Sequence, residues 1–522
     1  MHIVTVAEMR ELETQAERQY GLTSPILMQH AGKSAADLFE AHLLPHQSMQ
    51  DLKVLFLIGP GNNGGDGLVM AGHLAQHGAL TSLYHWKERR LIVRKQEISE
   101  AGLPKELAKE LELQIQSADY IIDALLGTGT SRPLVDDMRL LLQCVEEERK
   151  QRDSLRVVAI DLPTGVNADT GEVDPGALHA DMTITLACPK QGFFFFPARD
   201  YIGELYVGDI GLPAELEQHL QTEMITGRQV HSLLPPRPLN SNKGTFGKVM
   251  LFCGSSPYPG SAYLAGSAAA RVGAGLVTLL VTEKMLPIYA SSFHEATFVI
   301  LPEEEAQSFE RAHTLIDRIG GYRTLLIGPG LGQSPITREV ILQVLEHLRA
   351  LPIQRRPSLV IDADGLNNLS ALEHWWTLLP EGTVITPHPG EMSRLCHGVK
   401  VSGGNLDRLE LAREKAKEWQ VIVVLKGTCT IVADPTGRTR INWWGTPALA
   451  TAGTGDVLAG MAAGFLAQHM QPFDAATAAV SLHTAAADLV TQEMGMGRAG
   501  LLASDLLTRI PRAMTETQYA EM

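Results

Sequence analysis

Short apolar runs, each ending in a polar, glycine-rich cluster, recur along the whole chain. In the first half they are Val54–Ile58, Tyr120–Leu126, Val157–Ile160 and Met182–Ala187. In the second half they are Val249–Cys253, Thr324–Ile327, Leu359–Ile361, Thr383–Thr386 and Val421–Leu425. Continuous apolar runs of this length suit strands buried on both faces of a parallel sheet. Helical patterns separate them. Val6 to Leu44 reads as helical, with a start at Ser24-Pro25 and apolar residues at Ile26, Leu27, Ala31, Ala35 and Leu38. Further helices are predicted from Leu68 to His77, through the alanine-rich stretch before Gly273, and from Val457 onward. Strands alternating with helices predict an α/β protein whose parallel sheets carry helices on both faces.

Gly208–Pro213 closes the first series, and the proline cluster Leu233-Leu234-Pro235-Pro236-Arg237-Pro238 marks a boundary. This predicts a domain over 1–220, a linker over 221–235 and a second domain over 236–522. The halves carry different motifs and no internal repeat. The length of 522 residues, 45% hydrophobic, is ample for two sizeable cores. A net charge of −15 without a basic run argues against nucleic-acid binding. Five scattered cysteines with no CxxC pair read as reduced thiols of a cytoplasmic protein. The N-terminus lacks the pattern of a signal peptide, and no apolar run reaches a membrane span. The run Phe193–Phe196 reads as a buried strand edge or a subunit contact.

The candidate chemistry sits where the runs end. Val54–Ile58 leads into Gly59-Pro60-Gly61-Asn62-Asn63-Gly64-Gly65-Asp66-Gly67. Strand, glycine loop and helix form a layout that cradles phosphate, and the amides and carboxylate add ligands for a hard cation or a ribose. Tyr120–Leu126 carries Asp123 and leads into Gly127-Thr128-Gly129-Thr130-Ser131-Arg132-Pro133. Val157–Ile160 leads into Asp161-Leu162-Pro163-Thr164-Gly165. Ligands of open α/β sheets collect beyond the strands' carboxyl ends, and three strands deliver Asp66, Asp123 and Asp161 there. In the second half the clusters are Gly328–Gly332, Asp362–Leu366, Pro387-His388-Pro389-Gly390-Glu391 and Lys426-Gly427-Thr428-Cys429-Thr430. Thr451–Gly460 then sets glycines before Asp456 and an apolar helix. Amides at that helix start suit phosphate, with Asp456 as base or as a simple N-cap. Gly32-Lys33-Ser34 and Gly247-Lys248 lack the other positions of a P-loop.

The loop Asn62–Gly67, Asp123 with Gly127–Gly129, Asp161–Val166 and Thr185–Lys190 together resemble the NAD(P)HX epimerase family over about the first 215 residues. The resemblance implies a Rossmann-like domain interconverting the R and S hydrates of NADH and NADPH at C6 of the nicotinamide ring. It implies potassium held by Asn63, Asp123 and Thr164, where many members have serine at the last position. Hydrate contacts would come from Asn62, Asn63, Gly64, Gly65, Asp66, Gly127–Pro133 and Asp161, with Asp161 the acid/base. Residues 225–510 resemble the ADP- or ATP-dependent NAD(P)HX dehydratases, a branch of the ribokinase-like fold. This rests on Gly273–Val277, Gly328–Gly332, Asp362–Leu366, Thr386–Glu391, Lys426-Gly427, Gly453–Asp456 and Gly500–Asp505. It implies phosphorylation of the C6 hydroxyl by ADP, loss of phosphate and return of NAD(P)H. Asp456 would act on the hydroxyl. Lys426–Thr430 and Gly455 would hold the nucleotide, and Ala262, Gly330 and His388 the hydrate. Glu391 would place magnesium through water. A homo-oligomer is also implied. The competing readings are a ribokinase-class small-molecule kinase and a non-enzymatic binding module. A plain NAD-dependent dehydrogenase is disfavoured, because no G-x-G-x-x-G follows a strand.

Overall fold

The computed structural model describes residues 1–43, 47–93, 96–98, 104–129, 132–303, 308–398, 405–495 and 499–517. The chain divides into two compact units, residues 1–220 and 221–522, the second less residues 404–406.

The first unit is built on β1 (Lys53–Ile58), β2 (Leu80–His85), β3 (Arg90–Val93), β4 (Gln96–Ile98), β5 (Tyr120–Ala124), β6 (Arg156–Ile160), β7 (Met182–Leu186) and β8 (Glu204–Gly208). Their order is β4-β3-β2-β1-β5-β6-β7-β8. The six strands from β2 to β8 in that order run parallel, while β3 and β4 add an antiparallel edge. Alternate residues of β1 face opposite layers. Phe56 and Ile58 join a core with Ala31, Ala35 and Phe39, whereas Leu55 and Leu57 join one with Met138, Leu142 and Val145. A sheet apolar on both faces needs helices on both, which is why its strands read as unbroken apolar runs. Val6–Leu44 is two helices, Val6–Tyr20 and Ser24–Ala41, broken at Gly21, whose φ of 71° lies in the left-handed region.

The second unit contains β9 (Thr222–Met224), β10 (Lys248–Phe252), β11 (Leu276–Thr282), β12 (Thr297–Leu301), β13 (Thr324–Ile327), β14 (Ser358–Ile361), β15 (Val384–Ile385), β16 (Ile422–Leu425), β17 (Thr430–Ala433) and β18 (Thr439–Asn442). The order is β12-β11-β10-β13-β14-β15-β16-β17-β18-β9. It is parallel as far as β16; β17 and β18 then pair antiparallel, so the expected all-parallel sheet is a mixed one. The helices Pro259–Arg271 and Thr454–Ala467 pack closely. A Cβ at Gly460 would lie 2.1 Å from the Ala265 carbonyl oxygen, and one at Gly464 would lie 2.4 Å from Val272. This contact brings the amino-terminal turns of both helices to one place.

Three expectations need correction. Residues 221–235 are not a linker: Thr222–Met224 pairs with β18 and Gly227–Leu233 is a helix of the second unit. The polar segment after β1 is not a loop as far as Gly67, because the helix begins at Asn62 and runs to Gln76. Its glycines serve close packing, since a Cβ on Gly64 would sit 2.0 Å from the Gly59 carbonyl and one on Gly67 2.6 Å from Ala124. Phe193, Phe194 and Phe195 are buried within the first unit on a 3-10 turn rather than a strand edge, and Phe196 is exposed. Four of the five cysteines are buried and none is paired. Among the described residues no helix is long and apolar enough to cross a membrane.

Candidate active sites

In the first unit, Asp123 is the penultimate residue of β5 and is buried. Its Oδ1 accepts from Thr164 Oγ1 at 2.7 Å and from the Leu125 amide at 3.2 Å; its Oδ2 accepts from the Thr164 amide at 2.8 Å. Burial raises its pKa, and these donors oppose the rise. Asn63, on the first helical turn beyond β1, donates through Nδ2 to the Leu126 carbonyl at 2.8 Å. Its Oδ1 is buried with no hydrogen-bond partner. Asn63, Asp123 and Thr164 are thus gathered around Leu125–Leu126.

Beside this knot lies a cavity of about 580 Å³, lined by Asn62, Asn63, Asp66, Gly127–Gly129, Asp161 and Lys190, among others. A Cβ on Gly127 would lie 3.1 Å from Asn63 Cβ, a tight contact, and 3.5 Å from Asp161 Oδ2. Asp161 adopts φ of 65° and Ala187 φ of 63°, strained values for residues other than glycine. Lys190, 1% exposed, donates to Asp161 Oδ1 at 2.5 Å, Thr185 Oγ1 at 2.9 Å and the carbonyls of Leu186 and Cys188 at 3.0 Å each. Burial, then the charges of Asp161 and Glu13, push Asp66 up to about 8 against the pull of Lys190. The expected hydrate contacts are only partly assembled. Gly64 and Gly65 do not line the cavity, because Gly64 abuts the Gly59 carbonyl and Gly65 abuts Met28. Arg132 and Pro133 line a neighbouring cavity of about 180 Å³ with Thr164 and Asn167. Thr130 and Ser131 lie outside the described residues.

In the second unit, Gly453 caps the helix Thr454–Ala467 with φ of 90°, so the next residues turn their amides outward in its first turn. Asp456 stands on that turn. It is pushed up to about 6 by burial and by Asp362, while a hydrogen bond from Ser261 and the charge of Lys426 lower it. Lys426 Nζ binds Asp362 Oδ1 at 2.8 Å and lies 3.7 Å from Glu391 Oε2. Gly455 faces the same ammonium: a Cβ there would be 3.5 Å from Lys426 Nζ and 3.9 Å from Asp362. Gly330, at φ of 66°, presses against Ser261 and Tyr258. One helix start therefore gathers a carboxylate, an ammonium and free amides.

Other expected residues are placed differently. His388 is the N-cap of the helix Pro389–Leu395, where its Nδ1 accepts from the amides of Gly390 at 3.0 Å and Glu391 at 3.3 Å. Burial, Lys426 and Arg394 lower its pKa. Nε2 lies 3.5 Å from Glu391 Oε1, and the side chain is half exposed. Glu391 Oε2 accepts from the His388 amide at 2.8 Å, closing the capping box. Ala262 is fully buried, so the side chain beside it that reaches Asp456 is Ser261. Cys429 is buried with its sulfur 3.9 Å from the Trp443 carbonyl, leaving only backbone for a ligand there. Gly427 makes room for Arg408, which donates to the Lys426 carbonyl at 3.0 Å.

Comparison with known proteins follows the same division. The family described as NAD(P)H-hydrate dehydratase matches residues 249–512, and that described as YjeF-related protein N-terminus matches residues 24–192. The bifunctional NAD(P)H-hydrate repair enzyme of Moorella thermoacetica is 34% identical over 98% of this chain and 96% of its own length. The chain belongs to the bifunctional NAD(P)H-hydrate repair enzymes. A second member, from Thermofilum pendens, is 33% identical over 98% of this chain and 96% of its own. The ADP/ATP-dependent NAD(P)H-hydrate dehydratase of Bacillus subtilis, crystallised with ATP and Mg2+, is 33% identical over 56% of this chain and 98% of that one, with a TM-score of 0.47. This repair enzyme is thus bifunctional, with an epimerase domain and a dehydratase domain.

Sequence reasoning missed several of the enzyme's site residues. Lys190 closes the Thr185–Lys190 motif four residues beyond the strand Met182–Leu186, and its pairing with Asp161 was not marked there. Asp362 and Ser261 were visible as polar residues after strands, without a sign of their partners. Glu13 reaches the cavity from the helix Val6–Tyr20, and nothing in its own sequence context marks it.

Proposed function

We propose that the first unit interconverts the R and S hydrates of NADH and NADPH at C6. In the same proposal, the second unit converts the S hydrate to NAD(P)H at the expense of ADP, releasing AMP and phosphate. The observation that carries this reading is the convergence of Asp456, Ser261, Lys426 and the first-turn amides at one helix start. A base with a pKa near 6 is ionised at neutral pH and can still take a proton from an alcohol as the O–P bond forms. Amides aimed at the transferring phosphoryl group stabilise charge that develops there. Lys426, Gly427, Thr428, Cys429, Thr430 and Gly455 hold the nucleotide; Gly330, His388 and the backbone at Ala262 hold the hydrate. Both oxygens of Glu391 already face donors, His388 and Lys426, which suits a water-mediated rather than a direct contact to magnesium.

In the first unit, the buried and unpartnered Asn63 Oδ1 fits a missing cation. Asn63, Asp123 and Thr164 offer mostly neutral oxygens, as a potassium site requires. Potassium bound there would supply a fixed positive charge beside the cavity that Asp161 lines, with Asp161 as acid/base. The enzyme acts on small molecules in the cytoplasm, as a homo-oligomer. Gel filtration giving a monomer would remove that last element.

The test is stoichiometry. Pure S hydrate, magnesium and ADP should give NADH, AMP and inorganic phosphate in equal amounts. A stable phosphorylated nicotinamide product would instead support the small-molecule kinase reading. Omitting potassium should slow R-to-S conversion and leave turnover of the S hydrate unchanged.

A further inference from the structure

The first cavity holds two buried carboxyl groups and one buried cation, and the cation is already committed. Lys190 has three hydrogens and four acceptors within 3.0 Å, with Asp161 Oδ1 the shortest at 2.5 Å. The contact with the Lys190 ammonium assigns Asp161 the role of proton acceptor. Asp66, 7% exposed, accepts no hydrogen bond from any described residue and has no counter-ion of its own. It lies on the rigid first turns of the helix beyond β1, which Gly64 and Gly67 lock against the strand ends. Asp161 lies beyond β6. Both carboxyl groups line the same cavity, Asp66 from that helix and Asp161 from the segment after β6.

We propose that Asp66 is the proton donor of the epimerase reaction and that Asp161, lining the same cavity, is the acceptor. This rests on the epimerase reading of the first unit. In one direction the C6–O bond of the hydrate breaks as the N1 lone pair forms N1=C6, and the departing oxygen leaves as water with the Asp66 proton. A second water adds to C6 from the other side, the N1=C6 pair returns to N1, and Asp161 takes the proton released. One water leaves and one enters, and one proton passes from Asp66 to Asp161. The reverse reaction, or exchange with solvent, restores it.

The charge surroundings agree with this division of roles. The groups facing Asp66 are Asp161 beyond β6, Glu13 from the helix Val6–Tyr20 with Arg10 beside it, and Lys190 beyond β7. Two of these carboxyl groups and burial hold Asp66 in its neutral form, with a pKa of about 8. A carboxyl group held neutral beside one that is paired with an ammonium suits the division into donor and acceptor.

The test uses the full chain with potassium and no nucleotide, so that only R-to-S conversion is read, by chromatographic separation of the hydrates. Asp66→Asn should lower kcat about a hundredfold or more, with KM within about threefold, and Asp66→Glu should recover part of the loss. In 18O water the wild-type enzyme should deliver one 18O to C6 for each inversion. A kcat for Asp66→Asn within tenfold of wild type, or inverted product that keeps its 16O, overturns the proposal. Should Asp66→Asn misfold, the isotope result and Asp66→Glu decide. A wild-type enzyme that does not interconvert the hydrates at all refutes the epimerase reading itself.

Discussion

Asp456 makes the dehydratase reading quantitative. Its carboxyl is raised to about 6, chiefly by burial and next by Asp362, and is lowered by Ser261 and Lys426. A base acts only when ionised. With that pKa, about nine-tenths of Asp456 is ionised at pH 7 and about one-tenth at pH 5. The kcat/KM for the S hydrate should therefore be flat above pH 7 and fall about tenfold per unit below 6. Two variants should move this limb in opposite directions. Ser261→Ala removes a donor to the carboxylate and should shift the limb to higher pH. Asp362→Asn removes a repelling charge and frees Lys426, and should shift it lower. Asp456→Asn should lose about 10²–10⁴ in kcat, about 3–5 kcal/mol of transition-state stabilisation. The assay is the return of reduced-nicotinamide absorbance from S hydrate at saturating magnesium and ADP, with acid decay of the hydrate subtracted. A flat profile to pH 5, both variants shifting the limb the same way, or Asp456→Asn within tenfold of wild type would refute the reasoning.

Two further outcomes follow from packing. Lys190→Met leaves Asp161 buried without its counter-ion, a loss of about 3–5 kcal/mol. The first unit should melt about 10 °C lower, and adding Asp161→Asn should restore at least half; no recovery would show that the ion pair is not the cause. Gly453→Ala places a Cβ 2.7 Å from Leu264 Cδ1 at a φ of 90°. That costs about 2–4 kcal/mol of stability by overpacking and backbone strain, read as a lower Tm of the second unit.

The parallel core was legible because strands covered on both faces cannot alternate in polarity. Val54–Ile58 and Val421–Leu425 announce themselves, and every polar cluster behind such a run sits at a sheet edge. The hairpin of β17 and β18 was not legible: four-residue strands such as Thr439-Arg440-Ile441-Asn442 carry too little pattern to stand out. The helix start at Asn62 was misread because Asn-Asn-Gly-Gly-Asp-Gly opposes helix by propensity. Tertiary packing of its glycines against Gly59, Met28 and Ala124 overrides that preference. Segment 221–235 was taken for a linker since three residues of edge strand leave no periodic trace. Within the sites, the residues that stand on strand ends were found. Those whose meaning lies in a distant partner were not. Lys190 acquires its role only through Asp161, Asp362 through Lys426, and Glu13 by reaching the cavity from another helix.

The central claim is that one chain carries two successive activities at two separate sites. The direct test mixes the enzyme with a racemic NADHX preparation, magnesium, potassium and ADP, and follows the NADH band. Wild type should recover all of it. Asp161→Asn should stop near half once spontaneous epimerisation is subtracted, and Asp456→Asn should recover the band at least about a hundredfold more slowly than wild type. Full recovery by Asp161→Asn at the wild-type rate, or recovery by Asp456→Asn within about tenfold of the wild-type rate, would contradict the account.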